Sequence, residues 1–122
     1  MSYDSISDED YEREAFCVLS LRSLPKTGVD LVEWPGVDVD WMSAAKLAVR
    51  IFNAGVDPLD EVEIRRRVLG SSLRRRDRSW AVDLFIDPIA LYAKSRRWSG
   101  GRHRVEAMRR VGVSATVLKI LT

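Results

Sequence analysis

The sequence predicts a small α+β domain. Its 122 residues are 46% hydrophobic, which is enough for one domain with a modest core and argues against wholesale disorder. Segments with helical periodicity and segments with strand-like composition are mixed along the chain, and no internal repeat interrupts them. We therefore expect one folded domain over residues 15–122, preceded by an acidic, flexible segment over residues 1–14.

The first part of the domain contains a short apolar segment and a loop. Phe16–Leu21 fits either a buried strand or the continuation of a helix, and Leu24-Pro25 ends the segment in both cases. Residues 26–39 contain Trp34-Pro35-Gly36 and predict a loop, in which residues 29–33 could form one short strand.

Two helices are expected next, so that residues 41–78 would form a helical insertion or subdomain. Asp40 is a suitable N-cap for a helix from Trp41 to about Asn53, whose apolar residues fall on one face. Asp57-Pro58 predicts the start of the second helix, with proline at its first position. Gly70-Ser71-Ser72 weakens or ends that helix.

The last third of the chain is expected to contain three strands and one helix. Ser79–Ile86 alternates well enough for a strand, and Ile89–Tyr92 predicts another. A helix is expected from about Arg102 to Val111, with Gly112 as its stop residue. Ala115–Leu121 is rich in β-branched side chains and predicts a closing strand.

Charge is distributed unevenly along the chain. Residues 1–40 hold ten acidic and three basic residues, whereas residues 41–122 hold eight acidic and seventeen basic ones. This asymmetry predicts either an anionic partner for the basic part or charge pairing between the two parts. Sixteen of the twenty basic residues are arginine. That bias suits phosphate binding, but a GC-rich genome would also produce it.

Composition also limits the class of protein. No apolar run approaches the ~20 residues that cross a bilayer, and the acidic N-terminus lacks the features of a secretory signal. We therefore expect a cytoplasmic protein with no membrane partner. Cys17 is the only cysteine and His103 the only histidine, which excludes an internal disulfide and a structural zinc site.

The strongest candidate for a binding site is the segment Gly100-Gly101-Arg102-His103-Arg104. Its two glycines allow a tight turn and a close approach of the backbone to a ligand. The free N–H groups of the first helical turn then point outward, as anion binding requires. Three side chains that can carry positive charge share that turn, so a phosphate group is the simplest ligand.

The same region resembles the core of the ParB/sulfiredoxin-like superfamily. In ParB-type domains a Pro-Ile-x-Val strand precedes a hairpin, a Gly-x-x-Arg motif at a helix start and a last apolar strand. Here Pro88-Ile89-Ala90-Leu91, Gly101–Arg104 and Val117–Leu121 take these places. Sulfiredoxins carry Gly-Gly-Cys-His-Arg followed by x-Glu-Ala, to which residues 100–107 correspond. The resemblance is strongest over residues 87–121, and the Asn-Pro and Pro-Arg elements of ParB are missing.

This resemblance implies a mixed sheet with helices packed on it, a bacterial or phage origin, and a nucleotide held by its phosphates. Gly100, Gly101, His103 and Arg104 would make those contacts, and CTP, ATP or ADP with Mg²⁺ is the implied ligand. Arg102 stands where sulfiredoxins have their reactive cysteine, so reduction of sulfinic acids is not expected. The charge and donors of Arg102 suit a di- or triphosphate, or a nucleic-acid phosphate.

Three residues in or near the motif have competing interpretations. His103 could contact the ligand, or it could be an ordinary packing or surface group. Glu106 could be a catalytic base, or it could complement the helix dipole and pair with Arg102 or Arg110. Trp98 could stack on a nucleobase, or it could pack on the core as hairpin aromatic residues commonly do.

Two clusters of arginines, at residues 65–67 and 74–76, predict a competing function. Two helices joined by residues 53–58 could form a helix-turn-helix whose arginines contact DNA phosphates. The clusters could equally form a solvated face paired with acids, as the spacings Glu61–Arg65 and Glu63–Arg67 allow, because no aromatic residues are interleaved to form a base-reading surface. The candidate DNA contacts are Arg65, Arg66, Arg67, Arg74, Arg75 and Arg76.

We therefore expect a domain that binds a phosphorylated ligand at Gly100–Arg104. If it is an enzyme, nucleotide hydrolysis or phosphotransfer would use His103 and Glu106 as candidate catalytic residues. No metal ligands are predicted, since Asp83 and Asp87 lack a third partner. The alternative is an arginine-rich DNA-binding or regulatory protein without catalytic activity. A third hypothesis is an interaction protein that keeps the fold without the ligand, with internal carboxylates occupying the arginines of the motif.

Overall fold

The structure, a computed structural model that describes residues 15–122, confirms the predicted α+β fold. The predicted flexible segment, residues 1–14, lies outside the described part of the chain. Two short 3-10 turns, Leu21–Ser23 and Arg75–Asp77, follow the first strand and precede the third helix. The strands β1 to β4 span Phe16–Ser20, Ala90–Tyr92, Trp98–Gly100 and Ala115–Leu121. The helices α1 to α4 span Trp41–Asn53, Glu61–Leu69, Arg78–Ile86 and Arg102–Arg110.

The four strands form one mixed sheet in the order β1-β4-β2-β3. Strand β4 pairs antiparallel with β1, where Phe16 lies opposite Lys119, and parallel with β2, where Ala90 lies beside the same residue. Strands β2 and β3 form an antiparallel hairpin. The hairpin therefore leads directly into α4, and the sheet positions the start of that helix.

Helix α1 has the predicted bounds. Asp40 is its N-cap residue, and the Asp40 carboxylate accepts a hydrogen bond from the Ser43 backbone N–H at 3.1 Å. Helix α4 ends at Arg110, one residue before the predicted end, and Gly112 follows with a left-handed φ of 80°. The strands predicted at Ile89–Tyr92 and Ala115–Leu121 are also confirmed as β2 and β4.

The prediction of a strand at Ser79–Ile86 is wrong, because this segment forms α3. The helix is buried on more than one side, and its apolar residues therefore alternate with polar ones as they would in a strand. Phe85 stacks on Phe16 of β1, with ring centroids 6.4 Å apart. A helix packed between a sheet and other helices loses the single apolar stripe by which a helix is recognised. The buried side chains of α3 are Ala81, Val82, Leu84 and Phe85.

The second helix begins later than predicted. Asp60, not Asp57, is the N-cap of α2, and its carboxylate accepts from the Glu63 N–H at 3.1 Å. Asp57 accepts from the Leu59 N–H at 2.9 Å and forms a separate turn before the helix. Residues 29–33 form no strand, and the ambiguous segment at the start of the domain is strand β1.

One buried apolar cluster joins the sheet and the helices. Residues 41–78 contribute Trp41, Ile64 and Val68 to the cluster that also contains Leu91 of β2 and Leu118 of β4. Helices α1 and α2 therefore pack on the same core as the sheet. Within residues 15–122, no helix is long and apolar enough to cross a membrane.

The cap of α1 makes stability depend on pH. Hydrogen bonds from Ser43, together with the charges of Arg74 and Arg76, hold the pKa of Asp40 below its usual value of 3.8. Because the pKa is lowered in the folded state, the ionised carboxylate stabilises the fold above pH 3.8 and that contribution is lost as the pH falls through the folded-state pKa. We expect Asp40→Asn, which can still cap, to cost about 0.3–0.5 kcal/mol at pH 7, the low end for an exposed charge at a helix N-terminus.

Urea unfolding of both proteins at pH 7 and at about pH 3 measures this difference. The gap should narrow at the lower pH, and a gap of constant size would contradict the assignment.

Candidate functional site

The start of α4 lies directly against the sheet, and Gly101 is the residue that permits this. Gly101 is the N-cap of α4, with a left-handed φ of 88°. A Cβ atom at this position would lie 2.7 Å from Ile89 Cγ1 and 2.8 Å from Ile89 Cα. No side chain caps the helix, so the N–H groups of its first turn are left for solvent or a ligand. At Gly100 a Cβ would meet nothing within 4 Å.

Arg102 and His103 lie at this helix start. Arg102 is exposed, whereas His103 is half-buried. The His103 ring stacks on Trp34, with ring centroids 5.7 Å apart and an interplanar angle of 23°. Trp34 also stacks on Trp41, at 6.0 Å and 15°, and Trp80 meets Trp34 edge-on at 5.5 Å. His103 is therefore the outer member of an aromatic stack that reaches into the core.

Trp34 lies in a turn that packs on Trp41 of α1. The indole of Trp34 covers Gly36, where a Cβ would lie 2.5 Å from the ring. The Trp41 indole N–H donates to the Gly36 carbonyl at 2.9 Å. Sequence analysis predicted only a loop at this position and missed the contact of Trp34 with the motif.

Arg104 points into the protein, unlike the exposed Arg102. It is 7% exposed, and its Nη1 donates to the Asp83 carbonyl oxygen at 3.3 Å. Burial lowers the pKa of the Arg104 guanidinium, while the nearby carboxylates of Asp87 and Asp83 oppose that shift. The structure thus separates Arg104 from Arg102, although the motif placed them on one turn.

The Glu106 carboxylate is hydrogen-bonded to two side chains of the protein. Its carboxylate accepts from the Thr27 hydroxyl at 2.7 Å and from Arg110 Nε at 3.3 Å. The Thr27 hydrogen bond is the main reason why the pKa of Glu106 is lowered. Of the two predicted partners, the structure selects Arg110. An ionised carboxylate stabilised in this way is a weak base.

A groove of about 520 Å³ runs beside α4, between Glu106 and Arg109 on the helix and the loop of residues 26–30. Arg109 holds the preceding residues of that loop in place. Its Nη1 donates to the Pro25 carbonyl at 2.9 Å, and its Nη2 donates to the carbonyls of Leu21 at 2.9 Å and Leu24 at 2.7 Å. Sequence analysis did not single out Arg109, and backbone acceptors so distant in sequence provide no signal for it.

Trp98 is hydrogen-bonded to the first residue of the loop of residues 26–30. Its indole N–H donates to the Lys26 carbonyl at 3.0 Å, and its half-buried ring packs against the core. The hairpin formed by β2 and β3 is therefore attached to the loop that borders the groove.

The arginine cluster on α2 is paired with acids of the same helix. Arg65 contacts Glu61 at 2.7 Å, whereas Arg66 and Arg67 contact Glu63 at 2.6 and 2.8 Å. Hydrogen bonds from the latter two arginines lower the pKa of Glu63 to about 2. The predicted i,i+4 pairs are confirmed, and these guanidiniums are shared with carboxylates.

The second arginine cluster, residues 74–76, forms fewer hydrogen bonds and ion pairs with the described residues. Arg74 and Arg75 are exposed, whereas Arg76 donates to the Asp38 carbonyl at 3.0 Å and lies 3.4 Å from the Asp77 carboxylate.

In the described residues, no three side chains of His, Cys, Asp or Glu come together in a way that could hold a metal ion. Burial raises the pKa of Asp83, and the adjacent Arg104 opposes the shift. The structure therefore places Asp83 and its neighbour Asp87 beside Arg104.

No family model, curated protein or solved structure was found to match this chain.

Proposed function

We propose that this chain binds a nucleotide through its phosphates at the start of α4. The observation that carries the proposal is the helix start at Gly101, which is uncapped and pressed against Ile89. First-turn N–H groups and the positive end of the helix dipole favour an anion at such a position. Arg102 is exposed beside it, so its guanidinium can bind phosphate oxygens in a bidentate manner.

The residues of the motif then have different roles. Arg102 and His103 would contact the phosphates, because one is exposed and the other only half-buried. Arg104 would be a positioning residue, since its buried guanidinium joins α4 to the Asp83 carbonyl at the end of α3. The resemblance to ParB/sulfiredoxin-like domains supports the phosphate contacts but assigned Arg104 to the ligand.

The groove beside α4 offers room for the rest of the nucleotide. Arg102 lies four residues before Glu106 and seven before Arg109, so all three lie on one face of the helix. The groove of about 520 Å³ lies along that face and falls in the range of small-molecule sites. A phosphate at the helix start would place the nucleoside in this groove.

A Mg²⁺ ion bound with the nucleotide would neutralise phosphate charge, and it can be held largely by the phosphates and water. Binding without turnover is the core of the proposal, because Glu106 is committed to Thr27 and Arg110. Nucleotide hydrolysis or phosphotransfer with Glu106 as the base would require Glu106 to lose its hydrogen bonds to Thr27 and Arg110.

Calorimetric titration with CTP, ATP and ADP, each with and without Mg²⁺, tests the proposal. We expect Arg102→Ala to weaken nucleotide binding roughly tenfold or more, since a charge-assisted contact is lost. Arg75→Ala is the matched control, because it removes one exposed arginine that is not part of α4. Absence of binding by every nucleotide, or equal weakening by both substitutions, would contradict the proposal.

The competing function, contact with DNA phosphates, now depends mainly on the exposed residues Arg74 and Arg75, because the arginines of α2 are paired with glutamates. The same two variants separate the functions. Steeply salt-dependent binding to a DNA duplex that Arg75→Ala weakens and Arg102→Ala preserves would favour the competing function.

A further inference from the structure

We infer that α1 carries a second anion site, in which Lys46 and Arg50 bind a phosphate group. This site is independent of the nucleotide site proposed at α4. It lies between the outer face of α1 and the loop that follows α2.

A small cavity defines the site. Its volume is about 130 Å³, and it is lined by Ser43, Lys46 and Arg50 of α1 and by Ser71 and Ser72 of the loop, among others. That volume is enough for several waters, which suits one tetrahedral oxyanion. The loop is held in place by the Ser71 hydroxyl, which donates to the Val68 carbonyl at 2.6 Å and accepts from the Leu73 N–H at 3.2 Å.

The charges around the cavity are uncompensated by the described residues. Lys46 and Arg50 are four residues apart on a helix, so their like charges repel each other. In residues 15–122, neither side chain has an acidic group within ion-pair distance. The helix dipole favours Arg50 in the last turn of α1, but Lys46 lies in the middle of the helix, where the dipole offers no such stabilisation.

Within the described part of the chain, the basic residues of α2, unlike Lys46 and Arg50, are paired with acids. Every arginine of α2 contacts a glutamate of its own helix. The nearest acid in sequence before Lys46 is Asp40, and its carboxylate caps α1 at the Ser43 N–H under the influence of Arg74 and Arg76. A dianion between Lys46 and Arg50 would supply the missing negative charge, with eight side-chain N–H donors available to it.

A second hollow adjoins the same two cations. It has a volume of about 270 Å³ and is lined by Lys46, Val49 and Arg50 of α1 with Ser114 and Ala115. The organic part of a phosphomonoester could occupy this less polar hollow while its phosphate lies between the cations. Inorganic phosphate and a phosphomonoester thus share the chemistry of the site, and both serve as probes.

The test is a titration of the full chain with inorganic phosphate and with phenyl phosphate, followed by amide chemical shifts at constant ionic strength. We expect saturable shifts at Lys46, Arg50 and Ser72, and tighter binding of phenyl phosphate than of inorganic phosphate, because its ring would occupy the second hollow. Lys46→Glu should weaken binding roughly tenfold or more. The same substitution places an acid four residues before Arg50, the favourable order for a helical ion pair, so the melting temperature should stay equal or rise.

Loss of binding in a protein of unchanged stability would therefore come from the site and not from unfolding. Arg66→Gln on α2 is the control for general loss of positive charge, and Arg102→Ala should leave the shifts at Lys46 unchanged. Shifts that fail to saturate, that chloride reproduces, or that persist in Lys46→Glu would overturn the inference.

Discussion

Gly101→Ala is expected to lower the free energy of unfolding by about 2–5 kcal/mol. Two costs combine. A side chain at φ of 88° is strained, and the new Cβ would lie 2.8 Å from Ile89 Cα. Because that contact involves the backbone immediately before β2, it cannot be relieved by a change of rotamer, and α4 would have to move away from the sheet.

Two neighbouring glycines separate these costs. Gly112 has φ of 80° and Gly100 has no positive φ, and neither has an atom within 4 Å of a built Cβ. Gly112→Ala should therefore cost only the strain, about 1–2 kcal/mol, and Gly100→Ala should cost less than about 1 kcal/mol. Urea denaturation of the three variants measures the series. Equal losses at all three positions would show that the packing of Gly101 on Ile89 is unimportant.

Arg109→Gln is expected to cost about 2–4 kcal/mol, since the carbonyls of Leu21, Leu24 and Pro25 lose a charged donor together. A glutamine amide is too short and has too few donors to serve all three. Arg109→Lys should recover only part of the loss, because one ammonium group cannot reproduce the planar fork of the guanidinium.

The adjacent residue provides the control. Arg110 is exposed, and the ion pair of its side chain among the described residues is with the Glu106 carboxylate at 3.3 Å, so Arg110→Gln should change stability by less than about 0.5 kcal/mol. Thermal or urea unfolding compares the two. If Arg109→Gln also leaves stability unchanged, the three hydrogen bonds do not hold the loop, and the groove beside α4 loses its support.

The elements that could be predicted are those whose signals are local. Asp40 and the apolar face that follows it gave α1 its bounds, and β-branched residues gave β4 its place. Helix α3 could not be recognised because it is buried on several sides, and the contacts that favour a helix there, such as Phe85 with Phe16, join distant parts of the chain. Pro58 was a misleading start signal because Asp57 uses its carboxylate in a turn before α2.

The sequence motif predicts which residues form the candidate site but not the directions in which their side chains point. The motif indicated a helix start at Gly101, and the structure has one. It could not indicate that Arg104 points inward or that His103 stacks on Trp34, because both depend on tertiary packing. A side chain on the first turn of a helix has a direction set by the helix, but its surroundings come from segments far away in sequence.

The place of β4 in the sheet has a consequence for folding kinetics. Strand β1 and the hairpin of β2 and β3 bond to β4 and not to each other, and the paired residues Phe16 and Lys119 are more than one hundred residues apart. The ends of that long loop must meet before β1 gains its hydrogen bonds to β4, whereas β2 and β3 pair with strands much nearer in sequence, so the entropy of closure falls on the pairing of β1 with β4. We expect the helices to form early and the pairing of β1 with β4 to limit the rate of folding.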